Sequence, residues 1–272
     1  EEYYQNLEAA LSEVHPEYVV IANETSEHLT ALKTVISYEV PKILVEKPLF
    51  STSIEKLLGN PNSQVRVAYN LRFHPLIQKL YSEIKDQTFL SVEIYVGQYL
   101  PDWRPQQDYR NSYSVSKAQG GGVLRDLSHE LDYINLLFGP WKALTAVGEH
   151  FSTLAGDSDD VFCLLLKMER CPAVSLQMNY LDRLGRREII INTEEHSYNL
   201  DLVKKEYQKD QEPIISVIVE RDETCRLQHS EMLKNQGKLC SSFSEGLEVL
   251  GMIDAAEKSA ETETWQKNRD LR

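Results

Sequence analysis

The chain has 272 residues, 42% hydrophobic and 26% charged, an ordinary composition for a soluble globular protein and long enough for one large or two smaller domains. Its formal net charge of −13, from 29 basic and 42 acidic residues, argues against nucleic acid or an anionic membrane as partner. No apolar run approaches the roughly 20 residues of a membrane-spanning helix, no signal peptide is visible, and the four cysteines show neither a C-x-x-C pair nor zinc spacing, so reduced thiols, a cytoplasmic location and no metal site are expected.

Residues 3–14 read as a helix. Tyr18–Ala22 is a short apolar run that predicts a strand buried on both faces. Thr25 or Ser26 can cap the next helix, which carries Leu29, Leu32, Val35 and Ile36 at helical spacing. Pro41 precedes a second strand, Lys42–Glu46, and a short helix over 53–58 leads to a third, Val65–Tyr69. This β-α-β-α-β order predicts a parallel sheet with helices on its faces.

After Asn70 the pattern changes. A helix over 75–86 leads into an alternating strand, Leu90–Tyr99, followed by a polar, aromatic segment over 100–119 without periodicity. A helix over 123–138 comes next. Strands are expected over 142–150, 160–168, 172–180, 186–192, 197–202 and 214–219, and helices over 222–235 and 242–260 close the chain. Short connections between successive strands predict a mostly antiparallel sheet. The expected organisation is two domains, residues 1–69 and 70–272.

Two motifs carry chemistry. Glu46-Lys47-Pro48 stands at the carboxyl end of the second strand. Ligands of open parallel sheets bind in the crevice beyond such ends, so Lys47 is aimed at whatever lies there. Pro48 stiffens the turn; a cis Lys47–Pro48 bond is a hypothesis, since about 5% of X-Pro bonds are cis. Alone, the tripeptide is better read as a solvated lysine on an ordinary turn. The second motif is Gly120-Gly121-Gly122 before a helix, where bare backbone can approach a ligand. Leu127, Leu131, Ile134 and Phe138 form one apolar stripe. His129 lies about 200° from Leu127, and Asp126 about 60° from His129. A lone helical histidine is usually structural, but a carboxylate one turn away can orient the ring and stabilise its charged form, an arrangement suited to proton transfer.

Taken together, Val19–His28, Ile43–Leu49, Tyr69-Asn70-Leu71-Arg72-Phe73-His74-Pro75, the Gly120–Tyr133 segment and Phe243–Ala260 resemble the glucose–fructose oxidoreductase / inositol dehydrogenase (Gfo/Idh/MocA) family along nearly the whole chain. The resemblance implies part of a doubly wound Rossmann sheet followed by an α+β domain with an open, mostly antiparallel sheet. It implies NAD or NADP as cofactor, a sugar or sugar derivative as substrate, and a homodimer or homotetramer through the C-terminal sheet. Lys47, Asp126 and His129 would be catalytic, His129 as the acid/base and Lys47 polarising the substrate oxygen. Asn23, Thr25, His28, Glu46, Lys47, Pro48 and Asn70 would line the cofactor. In Asp102-Trp103-Arg104-Pro105 and Asp108-Tyr109-Arg110, the arginines can grip an anion and the aromatic rings can stack on a sugar, so Trp103, Arg104, Tyr109 and Arg110, together with Arg72, are the substrate-binding candidates, with an interface or plain surface loop an equal alternative for the segment. For Arg72 and His74 an interdomain structural role is the competing interpretation.

Three departures from the family pattern stand out. Asp126 precedes His129 by three residues where many members have four, and Glu24 replaces a common proline. The G-x-G-x-x-G loop that would hold the cofactor pyrophosphate is not in this sequence, so about 60 residues of the family's N-terminal part are expected to be missing. The expected activity is oxidation or reduction at a hydroxyl or keto position of a sugar. The alternatives are a nicotinamide-dependent glycosidase of the same family and a non-catalytic sugar-binding or assembly protein.

Overall fold

A computed structural model describes residues 2–52, 62–234 and 237–268. Its first elements are α1 (Leu7–Val14), β1 (Tyr18–Ile21), α2 (His28–Ser37), β2 (Lys42–Val45) and β3 (Gln64–Val67). The three strands pair in parallel, with Val19 opposite Ile43 and Ile43 opposite Val65. In β2 the run Ile43, Leu44 and Val45 is buried throughout, as a strand covered on both faces requires. β1 departs from expectation. It lies at the edge of the sheet and Val20 is 39% exposed, because an edge strand has a neighbour on one side only. Asn6 caps α1 by accepting from the Ala9 N–H at 2.8 Å. α2 is entered through a 3-10 turn over Thr25–Glu27, and neither Thr25 nor Ser26 caps it. The helix expected over 53–58 lies outside the described residues.

The chain continues through α3 (Pro75–Ile84), β4 (Phe89–Gly97), α4 (Val123–Asp126), α5 (His129–Phe138), β5 (Trp141–Glu149), β6 (Val161–Met168), β7 (Val174–Asn179), β8 (Arg186–Thr193), β9 (Ser197–Asp201), β10 (Glu206–Lys209) and β11 (Ile215–Ser216). It ends with α6 (Glu223–Lys234), β12 (Ser241–Ser242), α7 (Phe243–Thr262) and β13 (Gln266–Lys267). The second sheet has the order β11-β10-β9-β8-β4-β7-β6-β5-β13. Every neighbouring pair is antiparallel except β4 with β7, which run parallel. Leu76, Leu80 and Ile84 of α3, Leu131 and Ile134 of α5, and Val249 and Ile253 of α7 are buried in one core with Ile94, Leu164, Leu176 and Ile189 of the sheet. Each such side chain contributes about 1.5–3 kcal/mol by leaving water, so this face is the main source of stability. The opposite face is open, with Val147 69%, Leu165 53% and Ile190 37% exposed.

Two corrections bear on the site. The segment over 100–119 has structure, a series of 3-10 turns at Leu100–Asp102, Tyr109–Asn111, Tyr113–Val115 and Lys117–Gln119. The single helix expected over 123–138 is broken after Asp126, with Leu127 at φ −99° and ψ 25°. The carbonyl of Asp126 accepts from Lys47 Nζ at 2.7 Å, and the Glu130 N–H, which would claim that carbonyl in an unbroken helix, donates to Leu127 O at 3.2 Å. Lys47 therefore sits at the break.

α6 crosses the other face of the first sheet. Tyr18 of β1 bonds His229 at 2.8 Å, Lys42 of β2 donates to Leu233 O at 3.0 Å, and Asn70 donates to Thr224 Oγ1 at 2.9 Å. Arg66 of β3 donates to Gly237 O at 2.9 Å, and β12 adds an antiparallel strand beyond β3. Met232 and Cys240 complete a small core with Leu44, Ala68 and Phe73.

Candidate active site

The carboxyl ends of β1 and β2 carry the loops that begin at Ala22 and Glu46. Ala22, Asn23 and Glu24 are exposed, whereas Lys47 is half-buried and the Lys47–Pro48 bond is cis. His28 is 1% exposed and lies beneath both loops. Its Nδ1 faces the carbonyls of Pro48 and Leu49 at 3.1 and 3.2 Å, and its Nε2 faces that of Asn23 at 3.2 Å. With both nitrogens occupied, His28 has nothing left to offer a cofactor; it joins the two loops to each other. Glu46 Oε2 accepts from the Lys47 N–H at 3.3 Å.

The glycine run meets these loops. Thr25 is buried against Gly120, where an added Cβ would come within 3.3 Å of the Thr25 Cβ. Gly122 has φ +114°, and a Cβ there would lie 2.2 Å from Asp159 Oδ1. That close approach lets Asp159 cap α4, its carbonyl accepting from Val123 N–H and its Oδ2 from Leu124 N–H, each at 3.0 Å. Burial raises the Asp159 carboxyl to about 6. Arg125 ties the same helix to the loop after Pro48, donating to Ser51 O from Nε and Nη2 at 3.2 Å and pairing with Glu257 at 2.5 Å.

Lys47, Asp126 and His129 thus come together where α4 ends and α5 begins. Burial pushes the His129 imidazole well below its usual range, and the charges of Lys47 and Arg187 push it further. Arg187 is itself paired with the fully buried Glu130 at 2.8 Å. His129 Nδ1 is buried without a hydrogen-bond partner, and the Tyr69 ring stands edge-on to the imidazole at 5.6 Å. The imidazole is therefore neutral, with one unprotonated ring nitrogen, and the nearby Lys47 and Arg187 charges make its protonated form costly. The direct carboxylate–imidazole bond expected of Asp126 is not made. Asp126 Oδ2 instead accepts from the Tyr180 hydroxyl at 2.7 Å, and the Tyr113 phenol interacts with the same carboxylate. The broken helix explains the difference, because Asp126 and His129 no longer lie on one regular turn.

The remaining candidates separate into three groups. Trp103 packs edge-on to Tyr180 at 5.2 Å and donates from Nε1 to Gln98 O at 3.2 Å. Arg104 is exposed, and its charge acts on Tyr113, whose phenol is raised by burial and by the nearby Asp126. These two connect to Asp126 through tyrosines. Tyr109 and Arg110 stay on the outer loop: the Tyr109 hydroxyl accepts from Ala155 N–H at 3.2 Å, and Arg110 pairs with Asp108 at 3.4 Å. Arg72 and Asn70 are engaged by other partners. Arg72 is 4% exposed and donates from Nε and Nη2 to Asp132, each at 2.8 Å, while its Nη1 pairs with Glu245 at 2.9 Å. Its donors are spent on a buried ion network within residues 70–272, a structural role in place of substrate binding. Asn70 is held by the start of α6.

Tyr180, Tyr113, Arg125, Asp159 and Arg187 complete the site without having been singled out in the sequence. Tyr180 follows a strand and Asp159 precedes one, each more than 30 residues from Asp126, so local periodicity holds no sign of them.

Comparison with known proteins supplies the wider frame. Residues 86–199 match the model of the GFO/IDH/MocA C-terminal domain, which bears out the family resemblance for that part of the chain. No curated protein sequence matches. Among solved structures, levoglucosan dehydrogenase in complex with NADH and levoglucosan is similar at 19% identity, with a TM-score of 0.83 over 98% of this chain and 84% of that one. GenD2 from gentamicin A biosynthesis, in complex with NAD, aligns at 18% identity and a TM-score of 0.79, over 98% of this chain and 82% of that one. An aldose-aldose oxidoreductase from Caulobacter crescentus, complexed with glycerol, aligns at 14% identity and a TM-score of 0.79, over 97% and 83%. These likenesses establish a shared fold.

Proposed function

We propose, from a chain that carries the GFO/IDH/MocA C-terminal domain, that the protein is a NAD(P)-dependent oxidoreductase acting on a hydroxyl or keto group of a sugar or sugar derivative. The observation that carries this reading is the meeting of Lys47, a neutral and partly accessible His129, and Asp126 beyond the carboxyl ends of parallel strands. The similar proteins crystallised with NAD or NADH, and with levoglucosan, support it. The residues fit the nicotinamide end of the cofactor: Asn23 is exposed and Lys47 half-buried at the carboxyl ends of the parallel strands. When bound, the nicotinamide ring supplies the hydride acceptor.

The protein's own residues handle the proton and the developing charge. Lys47 spends one donor on Asp126 O, leaving two to hold the substrate oxygen. As the C–H bond gives up its hydride, the O–H bond breaks and its proton passes to His129, while the Lys47 ammonium stabilises the oxygen. His28 and Arg125 keep the Lys47 loop in place.

We divide the chain at residue 70, with 1–69 on the cofactor side and 70–272 forming the substrate and assembly domain, and we place the protein in the cytoplasm. Among the described residues no helix is long and apolar enough to cross a membrane. Assembly as a homodimer or homotetramer would use the open sheet face, where Tyr95, Val147, Cys163 and Leu165 border a cleft of about 310 Å³. The test is NADH fluorescence titration followed by sugar-dependent reduction of NAD. Because the loop for the cofactor pyrophosphate is not in this sequence, weak NADH binding is expected of this chain alone and micromolar binding of a protein that also carries the loop, in which His129→Ala should lower turnover by about 10²–10⁴-fold with an unchanged melting temperature. Absence of NADH binding at millimolar concentration by the protein that carries the loop would sink the reading.

A further inference from the structure

β7 ends and β8 begins at the helix break, one on each side of β4. β7 runs out into Tyr180, whose phenol is on Asp126, and β8 opens with Arg186 and Arg187, of which Arg187 pairs with Glu130. Glu130 is the residue after His129 and is fully buried, whereas Arg187 is 23% exposed. Arg187 Nε lies 2.8 Å from Glu130 Oε1, and among the described residues neither Nη group makes a hydrogen bond. Glu130 therefore anchors the guanidinium at one edge and leaves the fork of its outer nitrogens unspent. Lys47 reaches the same break from the first sheet and is held there by the carbonyl of Asp126. The charges that act on the His129 ring are those of Lys47 and Arg187, both positive, in a chain whose net charge is −13. The carboxylates of these two turns are committed elsewhere, Asp126 to Tyr180 and Tyr113, and Glu130 to Arg187. A base between two fixed cations works against itself as it takes up a proton, unless a negative charge arrives with the substrate.

We propose that Arg187 is a substrate-binding residue and that the substrate is a sugar acid, its carboxylate held by the Arg187 fork while the reacting hydroxyl lies on Lys47 and His129. Guanidinium and carboxylate match as planar forks, so the pair fixes the orientation of the sugar as well as its charge. The bound anion offsets the charge that His129 takes up with the proton, and the group that confers specificity also eases the transfer. A neutral sugar brings no such charge and binds less tightly. This rests on the sugar-oxidoreductase reading above.

The experiment is calorimetric titration of the chain with D-glucuronate and D-glucose, which differ by a carboxylate in place of a hydroxymethyl group. The parent is compared with Arg187→Met and with the double variant Arg187→Met, Glu130→Gln, in which no carboxylate is left buried without its cation. The parent should prefer glucuronate by about tenfold to a hundredfold, the worth of hydrogen bonds between charged groups. Both variants should lose that preference and keep the weaker affinity for glucose, and the double variant keeps the test decisive if Arg187→Met folds poorly. Equal affinity of the parent for the two sugars overturns the proposal, as does a preference that survives in the double variant, or no binding of glucuronate by the parent. Glucuronate bound through Arg187 without NAD reduction by the protein that carries the pyrophosphate loop leaves this inference standing and fells the dehydrogenase reading; NAD reduction with neutral sugars alone does the reverse.

Discussion

Replacing Arg72 by Met separates a structural role from a substrate role. Met keeps an unbranched apolar stem and deletes the guanidinium, which makes two contacts of 2.8 Å with Asp132 and one of 2.9 Å with Glu245. Arg72 and Asp132 are 4% and 2% exposed, so Asp132 would be left as a buried carboxylate without its cation. Burial works against the Arg72 charge, yet Asp132 and Glu245 outweigh it and raise the guanidinium pKa. Removing one member of such a pair costs about 3–5 kcal/mol. With an unfolding entropy of about 2.1 cal/mol/K per residue, a chain of 272 residues gives about 0.57 kcal/mol/K, so the midpoint should fall by about 5–9 °C. The assay is differential scanning calorimetry at pH 7 on the parent, Arg72→Met, Asp132→Leu and the double variant. The double variant should recover most of the loss, because neither charge remains buried alone. A midpoint for Arg72→Met within about 1 °C of the parent, or a double variant no better than the single, would refute the structural assignment and return Arg72 to the substrate.

Two further tests concern acid stability and the glycine run. His74 caps α3 by accepting from Leu76 N–H at 3.2 Å, and burial, followed by Lys205, lowers its ring to about 4. A folded value below the unfolded one means that the stability it confers is complete above about pH 6.5 and is lost as pH falls towards 4. His74→Asn keeps an acceptor and removes the titration, so urea midpoints should fall less steeply between pH 6.5 and 4; an unchanged slope refutes the idea. Asp159 has the opposite sign, since its folded value of about 6 lies above the unfolded one and favours the fold as pH drops from 6 to about 4, so Asp159→Asn should steepen the acid loss. Gly122→Ala should lower stability by at least about 2 kcal/mol, because the backbone is left-handed and the new Cβ collides with Asp159. Thermal melts would show it, and a neutral result would mean that Asp159 can leave α4 without cost.

The parallel sheet and most of the second sheet were legible because their signals are local: the run Ile43–Val45 and the alternation of β4. β10 escaped because Tyr207 is its one buried residue between Glu206 and Gln208, too little alternation to register. Lys47 and His129 were legible as motifs. The break after Asp126 was not, since it depends on a lysine 79 residues away taking a backbone carbonyl. His28 and Asn70 were read as cofactor contacts from their positions in the motif, and only their surroundings show that one is walled in by carbonyls and the other held by α6.

The clasp of α6 over the first sheet has a consequence for synthesis. Leu44, Ala68 and Phe73 emerge from the ribosome early, yet Met232, which covers them, is made about 160 residues later. At roughly 5–20 residues per second, the nascent chain carries an uncovered apolar sheet face for roughly 8–32 s. During that interval β3 also lacks the neighbour that β12 later provides. A stalled or prematurely ended chain would present a sticky sheet with an open border, so holdase chaperones should associate with nascent chains that end before residue 232 and release those that extend past residue 242.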